Sequence, residues 1–314
     1  MKLMSPCIVC GSSQAKLIGS NPDFQKLQIA KCIGCGIVFT TPCPDTEYLS
    51  SIYSKKYREI RNETPSQMYL DNMKQRAESQ RVFILSQFDL NFRNPYILDI
   101  GFGPGILLGM FANQSNNLFG FEPDKVMYTL AKERIGSNAC LYNQMFDSKS
   151  IKKYKFDLIM ASHILEHIPD PVRFLTDLLS LLTEKGLIFL EVPNDSLKSV
   201  YELTKYDVKG FMHLWFFQLE SLINVINKAG GQVVRLTTYG PSTKTFSYVH
   251  LSQRGWHGRI SWFMDRSLFK LSGGRIGLQS ILQTQVDWKD AMSMENGTEG
   301  IWIRVLIVRG HSCR

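Results

Sequence analysis

The sequence predicts an α/β fold whose mostly parallel sheet is preceded by a small cysteine-rich unit. Three observations carry that expectation. The stretch Tyr96-Ile-Leu-Asp-Ile-Gly-Phe-Gly-Pro-Gly-Ile-Leu-Leu-Gly109 reads as a buried strand running into a glycine-rich turn that opens a helix. Residues 117–121, 156–161 and 187–194 are further short apolar runs with helical patterns between them, the alternation that builds parallel sheets. Near the N-terminus, Cys7-Ile-Val-Cys10 and Cys32-Ile-Gly-Cys35 form two C-x-x-C pairs separated by 21 residues.

The cysteine spacing brings four thiolates to one tetrahedral zinc, with Cys7, Cys10, Cys32 and Cys35 as ligands. Gly11 and Gly36 each follow the second cysteine of a pair, where a tight turn must aim backbone amides at sulfur. Two disulfides are the alternative, and they need an oxidising compartment. Four cysteines leave no open position for water, so the expected zinc is structural. Cys43, Cys140 and Cys313 remain; Cys43 lies in a Pro-Cys-Pro loop and Cys140 reads as a small core residue. The loop between the pairs carries only Lys16, Lys26, Lys31 and one aromatic, Phe24, too few for a nucleic-acid surface.

At 314 residues, 44% of them hydrophobic and 20% charged, the chain can bury one large domain and a small one. The expected division is a ribbon over residues 1–45, a helical lead-in over 46–95, and the main domain over 96–314 with an insertion at about 241–297. Net charge is +8, and its location matters more than its size. The two ends, residues 1–60 and 251–314, hold 16 basic against 9 acidic residues, while the middle holds 20 against 19. A basic surface beside a cleft would favour an anionic substrate; a solvated surface is the plainer reading. Met1-Lys-Leu-Met-Ser-Pro-Cys7 has no apolar signal region and no run approaches the roughly 18 apolar residues of a spanning helix, so a cytoplasmic protein is expected.

Asp99, Gly101, Gly103 and Gly105 follow the pattern acid-x-G-x-G-x-G, in which the glycines admit a ligand close to the backbone. The second strand ends in Glu122, 17 residues after Gly105, where an acid suits the two hydroxyls of a ribose. A dehydrogenase would show G-x-G-x-x-G instead. On these residues the chain resembles the class I S-adenosylmethionine-dependent methyltransferases, closely over residues 96–194 and loosely in the tail. The resemblance implies a Rossmann-like, mostly parallel seven-stranded sheet with S-adenosylmethionine as cofactor. By the same resemblance Asp99 lies near the methionine end of the cofactor, and Phe146 and Asp147, where the third strand is expected to end, flank the adenine and its exocyclic amine. The fourth strand runs into Ser162-His-Ile-Leu-Glu-His-Ile-Pro-Asp-Pro171, similar to the family's L-E-H-x-x-D-P segment, and Ser162 joins the expected cofactor contacts. A degenerate copy that kept the fold and lost the cofactor is the alternative, and the intact acids and glycines argue against it.

The remaining elements follow from pattern. Residues 47–58 carry Tyr48, Ile52, Tyr53 and Tyr57 at helical spacing, and residues 66–88 read as a longer helix. In the family such helices close over the cofactor, so Tyr53, Tyr57, Tyr69 or Arg76 either touches it or packs on the domain. Asp170-Pro171 is a helix start, Val172, Leu175, Leu178, Leu179 and Leu182 follow at core spacing, and Lys185-Gly186 is the expected stop. A strand over 187–194, a helix over 218–229, a strand over 230–238 and a last antiparallel strand over 301–308 complete the sheet. About sixty residues separate the last two strands, too many for a loop. Within them residues 256–271 mix apolar and basic side chains, read either as an interfacial helix touching a membrane or as a helix packed on the core.

Methyl transfer is an in-line displacement, so the protein mainly aligns the acceptor and excludes water. A base is needed for a hydroxyl or a carbon acid, and histidine is the usual choice. Three histidines fall in expected cleft segments: His213 is ranked first as base, His163 second, and His167, beside Glu166, orients its loop. The favoured substrate is a sugar, as nucleotide sugar or glycan, since a ribbon ahead of this domain resembles the bacterial sugar and small-molecule methyltransferases. The alternatives are another small acceptor, such as a quinone precursor or secondary metabolite, and a non-catalytic zinc-ribbon binding protein.

Overall fold

The computed structural model describes residues 6–24, 27–44, 49, 65, 67–89, 94–205, 212–242 and 295–310. The expected helix over 47–58, apart from the buried Leu49 but including its tyrosines, nearly all of the insertion including 256–271, and Cys313 lie outside the described residues. Strands β1 (Ala15–Ser20), β2 (Gln28–Cys32) and β3 (Val38–Thr41) open the chain, followed by helix α1 (Gln67–Leu85). Next come β4 (Tyr96–Ile100), α2 (Ile106–Gly109), β5 (Asn117–Phe121), α3 (Lys125–Ile135), β6 (Ala139–Tyr142), β7 (Phe156–Ser162), α4 (Pro171–Leu181) and β8 (Leu182–Pro193). The last are α5 (Leu197–Lys205), β9 (Trp215–Phe216), α6 (Leu219–Lys228), β10 (Gly231–Ser242) and β11 (Gly300–Arg309).

The main sheet has seven strands in the order β10-β11-β8-β7-β4-β5-β6. β8, β7, β4, β5 and β6 run parallel, and β11 is antiparallel to both its neighbours. β4 and β7 are apolar runs buried along almost their whole length, as strands covered by helices on both faces must be. The chain builds outward from β4 through β5 to β6, then crosses back to β7 on the other side of β4. That reversal leaves a crevice at the C-terminal ends of β4 and β7, where open α/β sheets take ligands.

Helix boundaries follow side-chain chemistry. Asp124 accepts the amide of Val126 at 2.8 Å to start α3, and Asp170 accepts that of Arg173 at 2.9 Å to start α4 with Pro171 in its first turn. α4 buries Phe174, Leu175, Leu178, Leu179 and Leu181, each contributing roughly 1.5–3 kcal/mol. The helix ends at Leu181, four residues before the expected stop at Lys185-Gly186, because Leu182 turns extended and pairs with Phe156. Residues 183–186 loop out of the ladder before Leu187 pairs with Leu158. Gly186 lies there so close to the Phe156 carbonyl that a Cβ would sit 2.7 Å from it, so the glycine serves backbone approach rather than a helix cap. The third strand, β6, ends at Tyr142, four residues earlier than the Phe146-Asp147 assignment.

β1, β2 and β3 form an antiparallel meander, and its fourth strand is β9 from the main domain, with Val38 opposite Phe216 and Phe39 opposite Trp215. Cys7, Phe24, Cys32 and Ile37 belong to the same apolar core as Leu98, Phe119 and Phe174. α5 lies so close to β1 that a Cβ on Gly19 would touch Thr204 at 2.9 Å. Among the described residues no helix is long and apolar enough to cross a membrane.

Candidate active site

The turn after β4 holds Gly101, Gly103 and Gly105 at φ 70°, 53° and 70°, a region that costs other residues roughly 1–2 kcal/mol. A Cβ on Gly101 would come within 2.2 Å of Ile164, and one on Gly105 within 2.6 Å of Ala131 on α3. Around Gly103, among the described residues, nothing lies within 4 Å of where a Cβ would sit, which leaves its backbone open to a ligand. Glu122 fixes this turn: its Oε2 accepts the amide of Gly103 at 2.9 Å and its Oε1 that of Asp124 at 2.8 Å. Each oxygen keeps acceptor capacity, as paired ribose hydroxyls require. Asp99 is buried beside it, and burial together with the Glu122 charge pushes its carboxyl up to about 8. A cationic group on a ligand would reverse that shift. The acids and the open glycine backbone therefore fit S-adenosylmethionine.

Phe146 packs edge-on against Phe121 and Phe174, with centroids 5.3 and 5.8 Å away. Asp147 is exposed and accepts the amide of Lys149 at 3.0 Å, capping a short turn over Ser148–Ile151. The aromatic that ends the third strand is Tyr142, stacked on Phe121 at 4.7 Å, which the later placement of that strand end overlooked.

A second cluster lies at the C-terminal ends of β7 and β8. Glu191 is fully buried on β8; Arg76 and Gln80 of α1 donate to its Oε1, and Arg304 of β11 to its Oε2. Burial alone would raise its carboxyl, but the Arg304 and Arg76 charges hold it well below the carboxylate range. Arg304 also donates to Ser79 at 2.6 Å and lies 3.9 Å over the Tyr239 ring. Ser162 accepts from Gln80 at 2.9 Å, so it is tied to α1. Sequence reading missed Glu191, Gln80 and Arg304; an acid inside the apolar run Phe189-Leu-Glu-Val192 was the available signal.

His163 has φ 56° and donates its amide to the Glu191 carbonyl at 2.7 Å. Its Nδ1 is 3.2 Å from Glu166 Oε1 and its Nε2 3.5 Å from Glu191 Oε1. Burial and Arg76 push this imidazole down, and the two glutamates overcome them and raise it. Glu166 is fully buried; burial acts to raise its carboxyl, yet the three surrounding histidines, His163 foremost, bring it down to about 2. His167 hydrogen-bonds through Nδ1 to the Met212 carbonyl at 3.1 Å. His213 is only 6% exposed, and burial followed by the His167 charge pushes it down to about 3, so it is neutral and weakly basic at neutral pH.

The ribbon holds this last segment. Thr40 donates its hydroxyl to the His213 carbonyl at 3.1 Å, Asn21 reaches Thr40 at 2.8 Å, and Asp23 accepts the Met212 amide at 2.7 Å. At its far end, Cys7 and Cys35 sulfurs lie 3.7 Å apart and those of Cys10 and Cys32 3.5 Å. A disulfide needs about 2.05 Å. A tetrahedron of sulfurs about 2.3 Å from zinc has edges of about 3.8 Å, which the four thiols fit.

An antiparallel strand slotted between β8 and β10, beside five parallel strands and a glycine turn backed by two acids, defines a class I methyltransferase arrangement. Residues 69–236, more than half of the chain, match the family described as a methyltransferase domain. The chain belongs to that family of methyltransferase domains. It is 30% identical over 111 residues to a ubiquinone biosynthesis O-methyltransferase of Glaesserella parasuis serovar 5 (strain SH0165), covering 33% of this chain and 47% of that protein. A protein of the same name from Pelagibacter ubique (strain HTCC1062) is 29% identical over 119 residues, 37% of this chain and 50% of its own length. The chain thus spans about half the length of these curated relatives. Among solved structures, magnesium protoporphyrin IX methyltransferase from Synechocystis PCC 6803 with bound SAH is similar at 15% identity and a TM-score of 0.46, over 64% of this chain and 95% of that one.

Proposed function

We propose that the protein methylates a hydroxyl of a small ring-bearing acceptor of quinol or phenol type. The cofactor, when bound, supplies an electrophilic methyl group on a sulfonium. Glu122 receives its ribose hydroxyls, Asp99 its methionine end, and Phe146 with Asp147 its adenine side, while Ser162 borders the transferred group. The observation that carries the acceptor chemistry is the buried histidine–glutamate cluster abutting the glycine turn, since Ile164, next to His163, is the residue packed on Gly101. A hydroxyl must be oriented and relieved of its proton as it attacks, and such a cluster provides for both. We assign acceptor contact to His163, whose side chain is 27% exposed, in preference to the buried His213. The four N-terminal cysteines hold a structural zinc that keeps the ribbon against the His213 segment.

The curated relatives favour the quinone-type alternative over the sugar acceptor expected from the ribbon and the basic ends, and nothing in them speaks for a glycan or an anionic substrate. The test is methyl transfer from isotope-labelled S-adenosylmethionine to hydroxylated aromatics and nucleotide sugars, read by mass spectrometry. A labelled phenol ether is expected, with His163→Ala lowering kcat while S-adenosylhomocysteine affinity holds. A labelled sugar, or equal loss of turnover and affinity in His163→Ala, would overturn the respective assignment.

A further inference from the structure

We propose that Glu166, His167 and His213 form a second metal site, distinct from the four cysteines, for a divalent transition ion of the zinc class. One ligand atom from each of the three residues lies within 4.8 Å of the others. Glu166 is fully buried; its Oε1 faces His163 Nδ1 at 3.2 Å, while its Oε2 accepts no hydrogen bond. A buried carboxylate in that condition is expensive unless a cation faces it.

The tautomer of His167 points the same way. Its Nδ1 is turned to the Met212 carbonyl at 3.1 Å and so carries the proton. Its Nε2 then presents a lone pair 3.9 Å from Glu166 Oε1. A lone pair facing a carboxylate oxygen repels it, and a cation between them removes the repulsion. Tetrahedral ligand atoms each about 2.1 Å from one ion are about 3.4 Å apart, so the 3.9 Å spacing here closes by about half an ångström, and the others, all within 4.8 Å, close by up to about 1.4 Å on binding. His213 completes the set, with its ring edge-on to His167 at 5.1 Å. Asp195 Oδ2 lies 4.0 Å from His213 Nδ1, beyond hydrogen-bond distance but on the side of the ring where an outer carboxylate would stand.

The backbone preorganises the three ligands. Leu214 donates its amide to the Glu166 carbonyl at 2.8 Å, and the Met212 carbonyl takes the His167 Nδ1 proton. The two ligand-bearing segments are thus joined on both sides of His213, and the ribbon braces one of them from outside. Two imidazoles and one carboxylate suit zinc and its neighbours, and three protein ligands leave a fourth position open, as in catalytic rather than closed structural sites.

The test is metal stoichiometry of the full chain, independent of any acceptor. Zinc per chain is counted by mass spectrometry after dialysis against zinc-containing and then metal-free buffer. Cobalt replacement separates the sites, because thiolate-to-metal charge-transfer bands belong to the cysteines alone. Two equivalents are expected in the wild type, falling to one in Glu166→Gln and in His213→Gln with the thiolate bands intact. His167→Gln replaces either variant that circular dichroism shows to be unfolded. A single equivalent in the wild type, or a second equivalent kept by the folded variants, overturns the site.

Discussion

The proposed place of Asp99 at the cofactor's methionine end makes binding pH-dependent with a definite sign. In the free protein burial and Glu122 raise its carboxyl to about 8, so at pH 7 most molecules carry a neutral Asp99. If it meets the cofactor's ammonium, as the resemblance implies, binding requires the ionised acid. Each pH unit below 8 then costs about tenfold in affinity, or about 1.36 kcal/mol. The ammonium itself has a pKa of about 7.7–8.0, so affinity turns over near pH 8. Combining the two ionisations, S-adenosylhomocysteine should bind about eightfold more tightly at pH 7 than at pH 6, with about one proton released per molecule bound at pH 6.5. Calorimetry in buffers of different ionisation enthalpy reads both quantities. In Asp99→Asn the rise with pH should vanish along with most of the affinity. For the free protein the sign is opposite: a raised carboxyl lends stability that is complete below about pH 4 and is lost as pH rises through about 8. Asp99→Asn should therefore stabilise the free protein at pH 8.5 while weakening cofactor binding. A wild-type affinity that is flat between pH 6 and 7.5, without proton release, would refute the assignment.

Three further outcomes follow from the same geometry. Gly101→Val places a branched side chain at φ 70° against Ile164, and should abolish S-adenosylhomocysteine binding and lower the melting temperature. Arg304→Met takes one of the two arginines from a fully buried Glu191 and should cost about 3–5 kcal/mol in denaturant unfolding. Thr40→Val removes the hydroxyl that bonds the His213 carbonyl, and should cost about 1–2 kcal/mol of stability and slow turnover without changing cofactor affinity in calorimetry.

The parts of this molecule that were legible in its sequence are those where short-range chemistry decides the outcome. The glycine turn, the capping acids Asp124 and Asp170, and the C-x-x-C pairs each impose a backbone geometry on their immediate neighbours, and tertiary packing leaves that geometry in place. Lys185-Gly186 misled because the same dipeptide serves a helix end and a close backbone approach, and only the neighbouring strand distinguishes them. The pairing of Glu191 with Arg76 and Arg304 joins residues more than 110 positions apart, so no local pattern announced it. His213 looked like a base from its place in the chain. The burial that drives it down to about 3 comes from packing against His167 and the ribbon segment, which periodicity cannot reveal.

That packing also explains why the ribbon and the methyltransferase sheet are one construction. β9 is the last strand of the ribbon sheet, and it begins two residues after His213, whose carbonyl Thr40 holds. Every ionisable group gathered at the ends of β7 and β8 is wholly or largely buried, an arrangement that apolar residues would stabilise better. Such a network keeps its geometry only if each segment bearing it is clamped. α1 clamps Ser162 and Glu191 through Gln80 and Arg76, β11 clamps Glu191 through Arg304, and the ribbon clamps Met212 and His213 through Asp23 and Thr40. The cysteine cluster is therefore coupled to this buried network by way of a strand and two hydrogen bonds.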